Sequence, residues 1–390
     1  MPWKEVRPMD QKLLFIADYL RTASTFKELC WRYGISRKTG YKWVARYKEL
    51  GLEGLQNQPR KPHKQPLKTS FAVRKAILEL RDRRDPPGSK KIQVLLKQQN
   101  PEWEIPSKTT IYNILVEEGL IHSQRRRKRV PAGQQPFSPV HHPNDVWSAD
   151  FKGQFKVQDG TWCYPLTVMD HHCRYLLECK NLAGTRLEPS KQAFEALFKE
   201  YGLPWRIRTD NGVPFASNSP GGLSQLSIWW IRLGIMPERI EPGKPQQNGR
   251  HERMHKTLKS ATVIPPAQTV DLQQQAFDAF RRQYNDERPH ESLGQATPAS
   301  QYRPSPRAMP EKLPELEYPG HYRVALVHSN GIIHHQGHRV YIAGLLKGEN
   351  LGVEETADGV WDVYFGPVRL GGFDMHDIKK ARNDYLKLRV

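Results

Sequence analysis

A chain of 390 residues exceeds one ordinary core and suits about two to four domains of roughly 100–200 residues each; 37% hydrophobic and 10% aromatic residues exclude wholesale disorder. No apolar run approaches the roughly 18–20 residues that a bilayer span requires, Met1–Glu5 does not open a leader, and four scattered cysteines without a CxxC pair fit a reducing cytosol, so membrane insertion and secretion are disfavoured. The net charge of +19 is uneven, since residues 1–140 hold 29 basic and 13 acidic side chains while residues 306–390 hold 11 of each, and a cationic front end marks a polyanion-binding module, nucleic acid first.

Residues 10–22 repeat apolar side chains at helical spacing, with Asp10 as N-cap, and Phe26–Tyr33 makes a second short helix stopped by Gly34. Ser36 then caps a third, basic and aromatic helix that closes at Gly51. This order is the helix-turn-helix pattern, in which the first residues of the last helix enter the major groove, so Arg37, Lys38, Thr39, Tyr41 and Lys42 are the expected readers. A plain three-helix bundle with a charged face is the alternative. After a Pro/Lys/Gln-rich linker the pattern recurs over residues 70–84, 88–99 and 107–115, where Ser107 caps a helix carrying Lys108, Thr109 and Tyr112. Two such units in tandem read a longer, specific DNA site. Arg125, Arg126, Arg127, Lys128 and Arg129 follow as a backbone or minor-groove arm, or as a solvated run.

From Asn144 the pattern changes to strands at 146–151, 155–157, 162–169 and 174–178, an amphipathic helix at 190–201, a short strand at 206–210, and helices near 228–231, 250–260 and 271–285. Three strands followed by βαβ alternation predict a mixed α/β sheet. Beyond the Pro-rich stretch 298–319, about five short strands separated by Gly-rich turns predict a small antiparallel barrel. The expected domains are thus 1–55 and 69–122 (helix-turn-helix), 144–305 (α/β core) and 320–390 (barrel), joined by linkers at 56–68, 123–143 and 306–319.

Asp150 lies in the first strand, Asp210 closes a later one before Asn211-Gly212, and Glu252 begins a helix after Pro245-Gln246-Gln247-Asn248-Gly249. Acids so placed converge at one sheet edge, and oxygen ligands of this kind suit Mg²⁺ and in-line phosphoryl displacement. Any one of them alone is weak evidence, because an exposed Asp is usually a cap or turn residue. His171-His172-Cys173 reads as a polar turn, because adjacent residues cannot all face one ion.

Trp147-Ser148-Ala149-Asp150, Arg208-Thr209-Asp210-Asn211-Gly212 and Pro242-Gly243-Lys244 through Asn248-Gly249-Arg250-His251-Glu252-Arg253 resemble the three catalytic segments of DDE transposases with a retroviral-integrase-type core. The front end, Ile35-Ser36-Arg37-Lys38-Thr39-Gly40-Tyr41-Lys42-Trp43, is similar to bacterial insertion-sequence transposases, most closely of insertion-sequence family four-eighty-one; Tyr284-Asn285 with Arg288-Pro289-His290 resembles their segment after the catalytic helix. The resemblance implies a multidomain protein with tandem helix-turn-helix domains, a ribonuclease-H-like core and a polynucleotidyl transferase activity. It would nick element ends and attack target DNA with the 3′ hydroxyl, working with two Mg²⁺ ions (Mn²⁺ substituting) held by Asp150, Asp210 and Glu252. Lys244 and Arg250 are expected phosphate contacts, and Lys256 and Lys259, on the face of Glu252, are expected to hold the DNA backbone. Expected partners are double-stranded DNA at the element ends and the target, and further copies of the chain, in a bacterial cytoplasm beside the nucleoid, with no membrane. A silent DNA-binding regulator of the same descent is the alternative. The 42 positions between Asp210 and Glu252 exceed the retroviral spacing; the surplus fits the loop Ser217–Ser224, and Glu238 and Glu241 are rival third acids.

Overall fold

The computed structural model describes residues 8–22, 24–57, 68–121, 137, 139–380 and 385–389. It divides into two compact units, residues 1–68 and 69–390.

In the first unit α1 (Pro8–Leu20), α2 (Phe26–Arg32) and α3 (Arg37–Leu50) enclose Phe15, Ile16, Leu29, Cys30, Val44 and Leu55. Thr25 and Glu28 form a capping box on α2, and Ser36 caps α3 through the backbone N–H of Thr39. Asp10, expected as an N-cap, instead lies inside the first turn of α1, which starts at Pro8. Gly40 lets α3 approach α2: a Cβ there would stand 2.7 Å from the Cys30 sulfur.

The second unit opens with α4 (Phe71–Arg81), α5 (Ser89–Gln99) and α6 (Lys108–Glu117), packed on Ile77, Ile92, Leu96, Ile111 and Leu115. Ser70 and Ser107 cap α4 and α6. The basic run Arg125–Arg129 and residues 58–67 of the expected linker lie outside the described residues.

The central sheet comprises β1 (Val146–Phe151), β2 (Phe155–Lys156), β3 (Trp162–Asp170), β4 (Leu176–Leu182), β5 (Arg206–Thr209) and β6 (Met236–Arg239), in the order β2-β3-β1-β5-β6 with β4 also on β3. Pairing is antiparallel from β1 through β3 to β4 and parallel from β1 through β5 to β6. β4 starts at Leu176, later than Arg174, because the Asp170 carboxylate accepts the N–H groups of Asn144, His172 and Cys173, and Arg174 leaves that turn at φ 66°.

Alternate residues of each strand serve the two faces. On one face Trp147, Ala149 and Ile207 pack against α7 (Leu187–Tyr201) and α8 (Gln225–Arg232). On the other, Met169, Leu176 and Cys179 meet α9 (Gly249–Leu258) and α10 (Val270–Arg282) through Met254, Leu258, Phe277 and Phe280. Each of these two helices runs on into a π-helical turn, Lys259–Val263 and Gln283–Glu287, and the short α11 (Pro298–Gln301) follows. The helical subdomain α4–α6 rests on this side, where Arg83 pairs with Glu287 at 3.9 Å, and Asp85 and Lys90 pair with Arg288 and Glu291.

The C-terminal region forms two sheets. One, in the order β12-β11-β10-β7, contains β7 (Arg323–Leu326), β10 (Asn350–Ala357), β11 (Val360–Phe365) and β12 (Val368–Asp374); the other, β13-β9-β8, contains β8 (Ile332–His335), β9 (His338–Tyr341) and β13 (Tyr385–Lys387). A single bridge, Gly372 to Arg389, links them, and no ladder among the described strands closes the expected barrel, because β7, β8, β9 and β13 are only three or four residues long. Their common core takes in Leu223, Ile228 and Ile231 of the α/β domain. The loop Ser217–Ser224 therefore seats the C-terminal sheets, with Gly221 so close that a Cβ would meet Leu370 at 3.1 Å.

Candidate active site and DNA-binding surfaces

The strand period decides which β1 side chains reach α9. Trp147 and Ala149 enter the α7/α8 core, so Ser148 and Asp150 turn to the opposite face. β5 runs parallel to β1, the ladder ends with Ser148 opposite Arg208, and Asp210 follows the end of β5 on the side of Asp150, whose charge it feels. Gly212 N–H donates to Asp210 Oδ1 at 3.0 Å, and Asn211 Nδ2 donates to the Ile240 carbonyl at 2.8 Å, which fixes the loop. A Cβ on Gly212 would stand 3.1 Å from Asp210 Oδ2, close enough to press on that carboxylate.

Glu252 sits exposed in the first turn of α9, which is docked by the buried His251, Met254, His255 and Leu258. Burial first, and then the neighbouring charge of Asp210, raise the Asp150 carboxyl to about 7; Glu252 adds to this and Lys152 opposes it. Asp210 and Glu252 thus lie near enough to Asp150 to act on its charge, and repulsion of this kind is what a divalent cation would relieve. The two rivals are engaged elsewhere: Glu238 accepts from Arg208 at 2.9 and 3.1 Å, and Glu241 accepts from Gln247 at 2.9 Å and pairs with Lys244.

Beneath Asp150 lies a polar cluster that sequence reading misses. His251 Nδ1 is 2.8 Å from Ser148 Oγ, and Thr167 Oγ1 is 2.7 Å from both His251 Nε2 and His255 Nε2. His255 Nδ1 faces Asp150 Oδ2 at 3.7 Å. Burial drives both imidazoles far down, His251 to about 3 and His255 to about 2, so they are neutral. Asp150, His251 and His255 are close enough for a three-ligand metal site, but both nitrogens of His251 are occupied by hydroxyls. Lys152, also unforeseen, loses basicity through burial and the nearby charge of Lys259, while Asp150 opposes the shift. His251 and His255, one position before and three after Glu252, were the available signal; their partners lie up to 103 residues away.

Arg37, Lys38, Tyr41 and Lys42 are exposed on α3, with Tyr41 stacked on Phe26 at 4.1 Å, whereas Thr39 is partly buried and its hydroxyl, 2.9 Å from Ser36 Oγ, belongs to the cap. Lys108, Thr109 and Tyr112 are exposed on α6. Lys244, Lys256 and Lys259 are exposed, as is Arg250, which donates to the His171 carbonyl at 3.1 Å. No ion pair joins Glu252 to Lys256 among the described residues. His171 Nε2 meets Arg208 Nη1 at 3.2 Å, and the turn after it is organised by Asp170, as a polar turn should be.

Families described as "Integrase core domain" match residues 140–245 and 233–298. A "Helix-turn-helix domain" matches 11–63, a "Homeodomain-like domain" 39–115, and "IS481 family transposase, C-terminal domain" 322–381. The chain is similar to the insertion element IS476 uncharacterized 39.2 kDa protein of Xanthomonas euvesicatoria, with 27% identity over 276 residues covering 69% of this chain and 75% of that protein. It is also similar to the insertion element IS407 uncharacterized 31.7 kDa protein of Burkholderia multivorans, with 25% identity over 231 residues, 57% of this chain and 78% of that protein. Among solved structures it is similar to the HTLV-2 integrase catalytic core domain in complex with magnesium, with 17% identity, 42% and 98% coverage and a TM-score of 0.33. The chain is an integrase-core protein with helix-turn-helix domains in front, a class whose core is typically a metal-dependent phosphoryltransferase. Within that class its C-terminal region is similar to the C-terminal domain of IS481 family transposases. No helix of the described residues is long and apolar enough to cross a membrane.

Proposed function

We propose that the chain is an active transposase that binds the terminal inverted repeats of its element, nicks the ends by hydrolysis and joins the 3′ hydroxyl to target DNA by transesterification. The observation that supports this is that Asp210, after a strand end, and Glu252, in the first turn of a helix, both act by their charge on Asp150 in the neighbouring strand. Asp150, Asp210 and Glu252 would together hold the divalent cations, Mg²⁺ or Mn²⁺. Such ions supply polarisation of the attacking oxygen and neutralisation of the leaving one. The chain's own residues fix the geometry: β1 and β5 set two acids side by side, the Gly212 N–H orients Asp210, and the docked α9 brings Glu252 in. Arg37, Lys38, Tyr41 and Lys42, with Lys108, Thr109 and Tyr112, would read the end; Lys244 and Arg250 would contact phosphates. The domains 1–55, 69–122, 144–305 and 320–390 would work in a dimer or higher assembly on DNA, in the bacterial cytoplasm. The silent-regulator reading has all three acids against it.

Metal binding is tested by its linkage to protons. The Asp150 carboxyl stands near 7, above its ordinary 3.8, so the native state keeps a proton that the unfolded chain has lost. Stability from this group is therefore present below pH 3.8 and is lost as pH rises through about 7. Mg²⁺ competes with that proton, so its stabilising shift of the thermal midpoint should grow between about pH 5.5 and 8, with affinity rising on the order of tenfold per pH unit up to 7. Equal shifts at both ends of the range, or a shift that Asp150→Asn retains, would contradict the metal assignment.

Lys256 and Lys259 share the exposed face of Glu252 and form no ion pair with it, so they are free to hold the backbone beside the scissile phosphate. Lys256→Ala with Lys259→Ala should cut strand joining of pre-cleaved ends by about tenfold or more, with each lost charged hydrogen bond worth about 1.5–3 kcal/mol. The thermal midpoint should scarcely move. Unchanged joining in the double variant would return this face to plain solvated helix.

A further inference from the structure

The segment 284–291, which carries Tyr284-Asn285 and Arg288-Pro289-His290, joins the second helix-turn-helix unit to the core. Tyr284 is buried in one cluster with Met254 and Leu258 of α9, and His290 stands edge-on to it at 4.8 Å. Asn285 exchanges hydrogen bonds with the Leu176 backbone at 2.8 and 2.9 Å, which ties the segment to β4. Its other side takes residues 83–90. Arg288 pairs with Asp85, both largely buried, Glu287 with Arg83, and Glu291 with Lys90. Arg84 Nη1 donates to the Ala261 carbonyl, in the π-helical turn after α9, at 3.5 Å. Breaking a pair that lies largely out of water is costly, so α4–α6 is fastened to the core rather than tethered to it. The face of α6 that carries Lys108, Thr109, Tyr112 and Asn113 stays exposed.

The start of α6 is close to α9. Lys90 and Gln93 are one turn apart on α5, Gln93 Nε2 donates to the Pro106 carbonyl at 2.9 Å, and Pro106 precedes Ser107, the cap of α6. Arg253, beside Glu252 on α9, approaches Glu291 from the other direction: the Glu291 carboxyl is held below its ordinary range by Lys90 first, and then by the charges of Arg253 and Lys108. Exposed charges are largely screened beyond about 10 Å, so Lys108 and Arg253 stand no more than about 20 Å apart. That span is about six base pairs of duplex.

We propose that α6 reads the base pairs next to the bond that the pocket of its own chain cuts, the docked subdomain holding recognition and chemistry within about one helical turn, or about ten base pairs, of each other. The inference rests on the reading of α6 as an end reader and of Glu252 as a catalytic acid. The rival is a division of labour between copies, in which α6 of one chain presents the end to the pocket of another.

The full chain and a Lys108→Ala, Tyr112→Ala variant are titrated against duplexes that carry the terminal inverted repeat beside the coding frame, altered one base pair at a time. The variant should lose about 5–150-fold of discrimination at each base pair that α6 reads, all of them within about ten base pairs of the repeat boundary. Losses confined to positions farther in, spread evenly, or absent overturn the proposal. This map needs no cleavage, so a chain that gives it and never nicks would count against the proposed function alone. In Mg²⁺, the same variant, whose pocket is intact, is then mixed with Asp150→Asn, whose α6 is intact. The mixture should nick ends no faster than the two chains do separately. A rate that climbs toward that of the unaltered chain shows one copy reading for another and overturns the proposal as well.

Discussion

Asp150→Asn, Asp210→Asn and Glu252→Gln are each expected to lower end cleavage and strand joining by at least about a thousandfold, the upper range for losing one preorganised electrostatic contact to the reacting centre. Each change keeps the volume of the side chain and removes only its charge, so the binding of end DNA, which the helical domains would carry, should be unaltered. The neighbouring glutamates provide the contrast. Glu238 is paired with the buried Arg208, and removing it strands a charge in the interior, so Glu238→Gln should cost about 3–5 kcal/mol of stability. Glu241 is a surface partner of Lys244 and Gln247, and Glu241→Gln should do little of either kind. Labelled end duplexes in Mg²⁺, read beside a mobility-shift titration and denaturant unfolding curves, check all five. Retained nicking in any of the first three sinks the assignment of that acid.

End binding by the full chain should be steeply salt-dependent, because residues 1–140 carry a surplus of 16 positive charges. Each phosphate neutralised contributes about 0.9 to the slope of log K against log salt, and with roughly six to ten such contacts affinity falls about 10³–10⁵-fold between about 50 and 200 mM salt. Base readers behave differently from phosphate contacts. Arg37→Ala and Lys108→Ala should each weaken one part of the end site by about 1–3 kcal/mol and relax its sequence preference there. Both side chains are exposed at the start of a Ser-capped helix, which is the geometry of groove entry. A salt-insensitive complex, or one indifferent to end sequence, would remove the basis for assigning specificity to this half of the chain.

What the sequence made legible was local. Ser36 and Ser107 cap their helices within three residues, so both helix-turn-helix units could be read off directly. Asp150, Asp210 and Glu252 announce themselves because each sits in a short motif. β6 escaped because Met236-Pro237-Glu238-Arg239 has no alternation; it is a strand because β5 lies parallel beside it and Arg208 meets Glu238 across the pair. β12 escaped because Gly371 and Gly372 weaken any strand signal, and Gly371 there takes φ 144° against the Arg389 backbone. The barrel expected from five strands is two sheets, and the Ser217–Ser224 loop, expected only to absorb surplus spacing, proves to be their seat. The buried histidines were invisible for a simpler reason: Ser148 and Thr167, the hydroxyls that meet their nitrogens, are 103 and 84 residues from His251.

The most direct measurement gives the full chain, in Mg²⁺, a duplex carrying the terminal inverted repeat that flanks its own coding frame together with a second unlabelled duplex, and reads products at nucleotide resolution. The expected products are a nick at the repeat boundary that leaves a 3′ hydroxyl, followed by a longer strand in which that hydroxyl is joined to the second duplex. Specific binding with neither nick nor joined strand, in Mg²⁺ or in Mn²⁺, would contradict transposase activity and leave a DNA-binding regulator in its place.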